Sequence, residues 1–272
     1  MTARIPAFRG LLLSSVALGL AACGGDGASL RFTSNDRAVS TSNAWVQAAA
    51  DEPAPSTVFT SSDGTSFTLT QARIHLRDIR LDLPKGTKCE DVSGLLSGAE
   101  CKGSGDAKTL LVPGPIVVDL MTGATTPDLS ELRIPAGNYK RIDFRLEEAK
   151  SDEVGATEPL LGYSFMARAD FTQGGTARKL EMFFKFSEDA RFESATGVDV
   201  PEGGSLVAFL KPQVWLQGLP LGECIRDGDV EVANNTVRVD DKAGGECSDA
   251  ENTVKENIKT SGDLRKSDSD KE

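Results

Sequence analysis

Along most of this chain apolar residues alternate with polar ones at a period of two, the pattern of strands with one buried face. Phe67 and Leu69 open the longest run. Ala72, Ile74 and Leu76 continue it against Arg73, His75 and Arg77, and Ile79, Leu81 and Leu83 against Arg80 and Asp82. The phase slips around Thr70-Gln71 and again at Arg77-Asp78. A one-residue slip exchanges the two faces of a strand, so each place predicts a bulge or a break. Pro84 ends the run. Further inward rows are Ile142, Phe144 and Leu146; Tyr163, Phe165, Ala167, Ala169 and Phe171; and Leu180, Met182, Phe184 and Phe186. Thr109 to Leu120 reads as a β pair with Ile116 to Val118 buried. Ser205 to Leu216 reads as a nearly continuous apolar central strand, with Pro212 at a bulge or a change of partner.

Turn chemistry separates these runs. Gly174-Gly175 predicts a hairpin, Gly137-Asn138 a turn open to positive φ, and Asn234-Asn235 the tip of a hairpin over 227–240. Residues 85–107, rich in Gly, Ser and charge, read as a surface loop closed by a disulfide. Ser248 and Glu251 have the spacing of a capping box, and Ala250, Val254 and Ile258 share one helical face, which predicts a helix over 249–260. Many short alternating strands and almost no helix indicate an all-β chain, an antiparallel β-sandwich with a short C-terminal helix.

The N-terminus has a different grammar. Arg4 and Arg9 precede an apolar run from Leu11 to Leu20, too short to span a bilayer, and Leu20-Ala21-Ala22-Cys23-Gly24-Gly25 follows. This stretch resembles the lipobox of bacterial lipoproteins. The resemblance implies a signal peptide over 1–22 and a mature chain that begins at Cys23, lipidated on its sulfur and acylated on its amine. Membrane lipid is then the partner, held through Cys23, since two or three acyl chains make a stable anchor. Gly24, rather than Asp, after the cysteine points toward the outer membrane of a Gram-negative envelope. The organisation expected is a signal peptide (1–22), a tether (23–56) containing a short strand at Leu30 to Thr33 and a Trp45-Val46 contact with the body, a β-sandwich (57–218), an appendage of hairpin and helix (219–262), and a disordered tail (263–272).

Two segments of the body carry a second likeness: Phe67-x-Leu-Thr-x-Ala72-x-Ile74-x-Leu76-x-x-Ile79-x-Leu81, and Val118-Asp119-Leu120-x-Thr122-Gly123 with Ile134-Pro135-Ala136-Gly137-x-Tyr139-x-x-Ile142. Together they resemble an uncharacterised immunoglobulin-like domain of bacterial lipoproteins, over about residues 57 to 218. The resemblance implies an immunoglobulin-like sandwich on a lipid anchor and carries over no catalytic or binding residue. Part of the pattern also looks like domains associated with copper handling, but the chain lacks the histidine and methionine cluster for that role.

Composition narrows the function classes. The chain has 30 basic and 41 acidic residues. Loss of Arg4 and Arg9 with the leader leaves 28 against 41, a net charge of −13, and no basic cluster. Phosphate binding rests on Lys and Arg, which argues against a nucleic-acid partner. Of five cysteines, Cys23 belongs to the lipobox. Cys89, Cys101, Cys224 and Cys247 form an even set in an exported chain and read as two disulfides. Three pairings are open to them. Cys89–Cys101 and Cys224–Cys247 join near neighbours that flank Gly-rich turns, each contributing about 3 kcal/mol on the loop-entropy model. Zinc would need C-x-x-C spacing or more than the single His75.

Catalytic signatures are sparse. His75 alternates with Arg73 and Arg77 on a polar face, the pattern of a solvated residue. No G-x-S-x-G elbow, P-loop or Rossmann fingerprint occurs, and Ser104 lies between flexible glycines of the 85–107 loop. Glu147-Glu148 and Glu188-Asp189 read as surface carboxylates, and a carboxylate-dependent hydrolase would depend on spatial separation. Calcium is the one cofactor with support: Asp227, Asp229, Asp240 and Asp241 are oxygen-rich and close in the chain, though off the EF-hand spacing. The reading that follows is a non-enzymatic binding or structural module. A calcium-stabilised or carbohydrate-binding module is the first alternative, and a carboxylate-dependent hydrolase the second.

Overall fold

The computed structural model describes residues 27–34, 57–92, 98–105 and 107–266. The lipobox cysteine Cys23, the Trp45-Val46 contact and residues 48–55 lie outside them. The described residues form fourteen strands: β1 (Ser29–Thr33), β2 (Thr57–Thr60), β3 (Ser66–Asp82), β4 (Glu100–Ser104), β5 (Ala107–Asp119), β6 (Thr125–Thr126), β7 (Gly137–Leu146), β8 (Phe165–Gln173), β9 (Thr176–Phe184), β10 (Glu188–Val200), β11 (Ser205–Phe209), β12 (Glu231–Ala233), β13 (Thr236–Val239) and β14 (Asp263–Lys266). The helices are α1 (Cys89–Val92), α2 (Leu221–Asp227) and α3 (Ala250–Ser261). An 11-stranded sheet runs β10-β7-β3-β8-β9-β13-β12, with β2, β4, β5 and β6 joined beside it. A three-stranded sheet, β1-β11-β14, packs against it, so the fold is an all-β sandwich.

β3 organises the large sheet. Along one edge it pairs with β2 and then β5, along the other with β8 and then β7. Its register shifts between Leu69 and Gln71 and again between Leu76 and Asp78, the two places where the apolar phase slips. Each slip restores the inward face, so Phe67, Leu69, Ala72, Ile74, Leu76, Ile79 and Leu81 are all buried in one core. Aromatic rings tie the layers: Phe32 of β1 meets Phe144 of β7 edge-on at 5.8 Å, and Phe144 meets Phe192 of β10 at 4.9 Å.

Several expectations are corrected. Thr109 to Leu120 is not a pair but part of one strand, β5, bent at Pro113-Gly114-Pro115. Ser205 to Leu216 is strand only to Phe209; Pro212 opens a short 3-10 turn, where its fixed φ suits the first position and its missing N–H costs nothing. The 85–107 loop contains α1 and β4, the latter paired with β5. Strand β10 has no counterpart in the sequence reading, because its inward residues are spaced among Glu, Asp, Arg and Gly. The sheets are not wholly antiparallel: β1 runs parallel to β11, and β13 to β9. The capping box is absent, since Asp249 rather than Ser248 occupies the N-cap of α3 and no side chain caps it. Residues 263–266, expected in a frayed tail, form β14 on β11, with Leu264 buried.

Candidate functional site

His75 is buried, at 1% exposure, where the alternation placed it in solvent. The cause is the segment after β7, which folds back over the outer face of β3. Ala149, Leu160, Met166 and Phe183 form a small second core there, with Val117, Val154 and Tyr163 packed on it. His75 Nδ1 lies 2.7 Å from the Glu147 carbonyl. A carbonyl only accepts, so Nδ1 carries a proton. Nε2 makes no hydrogen bond among the described residues and stands 3.9 Å from Glu153 Oε2. The two line a cleft of about 380 Å³ with Arg77, Asp78, Lys150 and Gly114. Gly114 is required there, because a Cβ would collide with the Leu76 and Arg77 carbonyls at the β3 bulge. Among the described residues no hydroxyl or thiol is bonded to the imidazole, so the arrangement holds the 147–153 segment to the sheet and offers no nucleophile–base pair.

The carboxylates are engaged elsewhere. Arg77 meets Glu147 at 3.4 Å, Lys255 and Lys259 flank Glu188 at 3.4 and 3.7 Å, and Arg145 meets Asp189 at 3.6 Å. The four calcium candidates separate. Asp240 binds Arg238 at 2.8 Å and accepts the Lys242 N–H, and Asp241 faces Lys185 at 3.8 Å. Asp229 accepts the Glu246 N–H at 3.2 Å. Asp227 ends α2. Among the described residues no three His, Cys, Asp or Glu side chains are placed to share a metal ion. Both disulfides are formed as Cys89–Cys101 and Cys224–Cys247.

A larger groove, about 870 Å³, crosses the ends of β3, β8 and β9 and the β12–β13 turn. Its lining sets the polar side chains of Ser66, Thr68, Asp170, Arg178, Lys179 and Asn234-Asn235 beside the apolar Phe171 and Ala177. Asp170 and Lys179 are cross-strand partners. The two asparagines adopt positive φ, 51° and 62°, which closes the tight hairpin and brings their side chains to the rim. Arg178 Nε has no hydrogen-bond partner among the described residues. In a strongly acidic chain, this groove offers a guanidinium, an ammonium and several amide and hydroxyl groups around a single carboxylate.

No family model matches the chain, and neither does any curated protein or solved structure. Its function is therefore argued from its own residues. The groove side chains were overlooked in the sequence because each is simply the outward, polar member of an alternating strand. Only the pairing of β3, β8, β9 and β13 collects them. Trp215 takes no part in any surface: it is fully buried, edge-on to Phe165 at 5.2 Å. No helix among the described residues is long and apolar enough to cross a membrane.

Proposed function

We propose that this chain is a non-enzymatic binding module of the bacterial envelope, held at the outer membrane by acylated Cys23 and resembling the immunoglobulin-like domains of other lipoproteins. The polar groove of Arg178, Lys179, Asp170, Thr68 and the two asparagines is its binding surface. The observation that carries this reading is the gathering of Arg178, Lys179, Thr68 and the two asparagines around a single carboxylate, Asp170, in one groove. Such a guanidinium suits a carboxylate on a hydroxyl-rich partner, an acidic oligosaccharide being the simplest. His75 bonded to a carbonyl, and carboxylates bonded to Lys and Arg, support binding over hydrolysis.

Two experiments test the two halves. Labelling of cells with a clickable palmitate is expected to mark the wild-type chain and not Cys23→Ala, which would leave the membrane fraction. Titration of the isotopically labelled protein with short acidic oligosaccharides is expected to shift the amides of Thr68, Asp170, Lys179 and Asn235, and Arg178→Glu is expected to abolish those shifts. Shifts confined to another surface, or none, would count against the groove.

A further inference from the structure

The earliest pairing among the described residues lies close in the chain to Cys23. Ala28 is fully buried and pairs with Ile134, its N–H to the Ile134 carbonyl at 2.7 Å and the Ile134 N–H to its own carbonyl at 2.8 Å. Ser29 then enters β1, in register with Ser205 of β11. Only five peptide units separate Cys23 from Ala28. Fully extended, they reach at most about 18 Å. On the lipid-anchor reading, on which this inference rests, the expected 23–56 tether does not set the body away from the membrane, because the chain is already fixed in the sandwich at Ala28.

The position of Ala28 in the fold fixes which end is held. Ile134 is three residues from Gly137, where a Cβ would meet the Pro84 ring at 2.6 Å, just past the end of β3. From there β1 climbs alongside β3: the Ser34 N–H bonds the Leu120 carbonyl at 2.8 Å, and the Leu120 N–H bonds that of Ala72 at 2.9 Å. The rest of β3 continues away to Ser66, the whole strand having an extended length of about 50 Å. The polar groove and the hairpin tips at Gly174-Gly175 and Asn234-Asn235 lie at that far end.

We propose that the Ala28–Ile134–Pro84 end of the sandwich rests directly on the bilayer surface, and that the polar groove is thereby held facing away from it. The near end fits a headgroup layer. A cleft of about 900 Å³ beside β1 carries Arg31 and Arg133 together with Asp128 and Glu131. Mixed charge of that kind matches phosphate and ammonium groups, whereas the chain without its leader, at −13 (28 basic against 41 acidic residues), is repelled as a whole by anionic lipid. Strand β4, paired with β5 where β5 meets the end of β3 at Asp82, lies at this membrane-facing end and not at the binding end.

The test uses the acylated full-length chain in phosphatidylethanolamine/phosphatidylglycerol vesicles containing a headgroup-quencher lipid. Exposed Glu131 and Ala177 are changed singly to Cys and labelled with a fluorophore; the native thiols are occupied by lipid and disulfides. The label at 131 is expected to be quenched severalfold more than the label at 177. An insertion of about twenty Gly/Ser residues after Gly25, adding some 25 Å of reach, should equalise the two. Equal quenching without the insertion, or stronger quenching at 177, overturns the orientation while leaving the anchor intact. A chain that does not float with the vesicles overturns the anchor reading, and the orientation with it.

Discussion

Tyr139 is wholly buried, and its hydroxyl donates to the Pro135 carbonyl four residues earlier, bracing the turn that leads into β7. Burial raises its phenol well above the ordinary value, so it stays protonated and remains a donor at any working pH. Tyr139→Phe removes the donor and leaves the half-buried Pro135 carbonyl without it. The expected loss is about 1 kcal/mol, read from urea unfolding. Asp63 plays a longer-range part, since its Oδ2 accepts the Glu223 N–H at 2.9 Å and so caps α2 from another segment. Burial alone would raise this carboxyl. Hydrogen bonds from Ser61, Thr65 and Glu223 outweigh it and hold it below its ordinary value. A carboxyl that is lower in the folded chain stabilises the fold above its unfolded value, near 4, and loses that contribution as the pH falls through the folded value. Asp63→Asn is expected to cost about 1 kcal/mol at pH 7, the usual worth of a cap. The gap from wild type should close as the pH falls below about 4. A gap constant with pH would remove the charge from the explanation.

At the scale of elements, the α3–β14 junction depends on one glycine. A Cβ on Gly262 would fall inside the Phe192 ring, itself a fully buried member of the core. Gly262→Ala is therefore expected to displace β14 from β11 and destabilise by several kcal/mol, in the range of overpacked cores; faster amide exchange along 263–266 would report it. The two disulfides differ in the same structural sense. Cys224 and Cys247 are fully buried and join α2 to the turn before α3, whereas Cys89 and Cys101 are partly exposed. Mild reduction should open Cys89–Cys101 first, leaving Cys224–Cys247 closed until the fold loosens, as thiol mapping would show. Legibility follows the same division. Both β3 bulges could be read from the sequence, because a phase slip is local information. So could the Asn234-Asn235 hairpin, whose turn chemistry is local too. β10 could not, since its inward residues Ala190 and Phe192 sit among charges, and its partner β7 lies more than forty residues away. His75 failed for a related reason: the cover that buries it comes from residues 149–163, and alternation within β3 carries no trace of it.

Among the described residues, the C-terminal quarter packs into the main core. Cys224, Val237, Val239, Val254, Ile258 and Leu264 fall in the same contiguous core as Phe67, Ile79 and Phe144. β13 extends the large sheet in register from Thr236–Lys179 to Val239–Met182, and β14 completes the small one. Deleting this segment would do more than shorten the chain. It would expose the β9 edge and one side of β11, two apolar strands of the kind that recruit other chains. It would also remove part of the groove's rim, which Asn234 and Asn235 form. A chain ending at Leu219 is therefore expected to lose cooperative melting and to aggregate, while the intact chain melts in a single transition seen alike by far-ultraviolet circular dichroism and Trp215 fluorescence. A soluble 27–219 fragment with its own sharp transition would show the opposite, that the C-terminal hairpin and helix are an appendage. The distinction matters for anchoring, because an integral C-terminal quarter makes the groove a rigid extension of the end fixed at Ala28, whereas an appendage would let it swing free of the membrane.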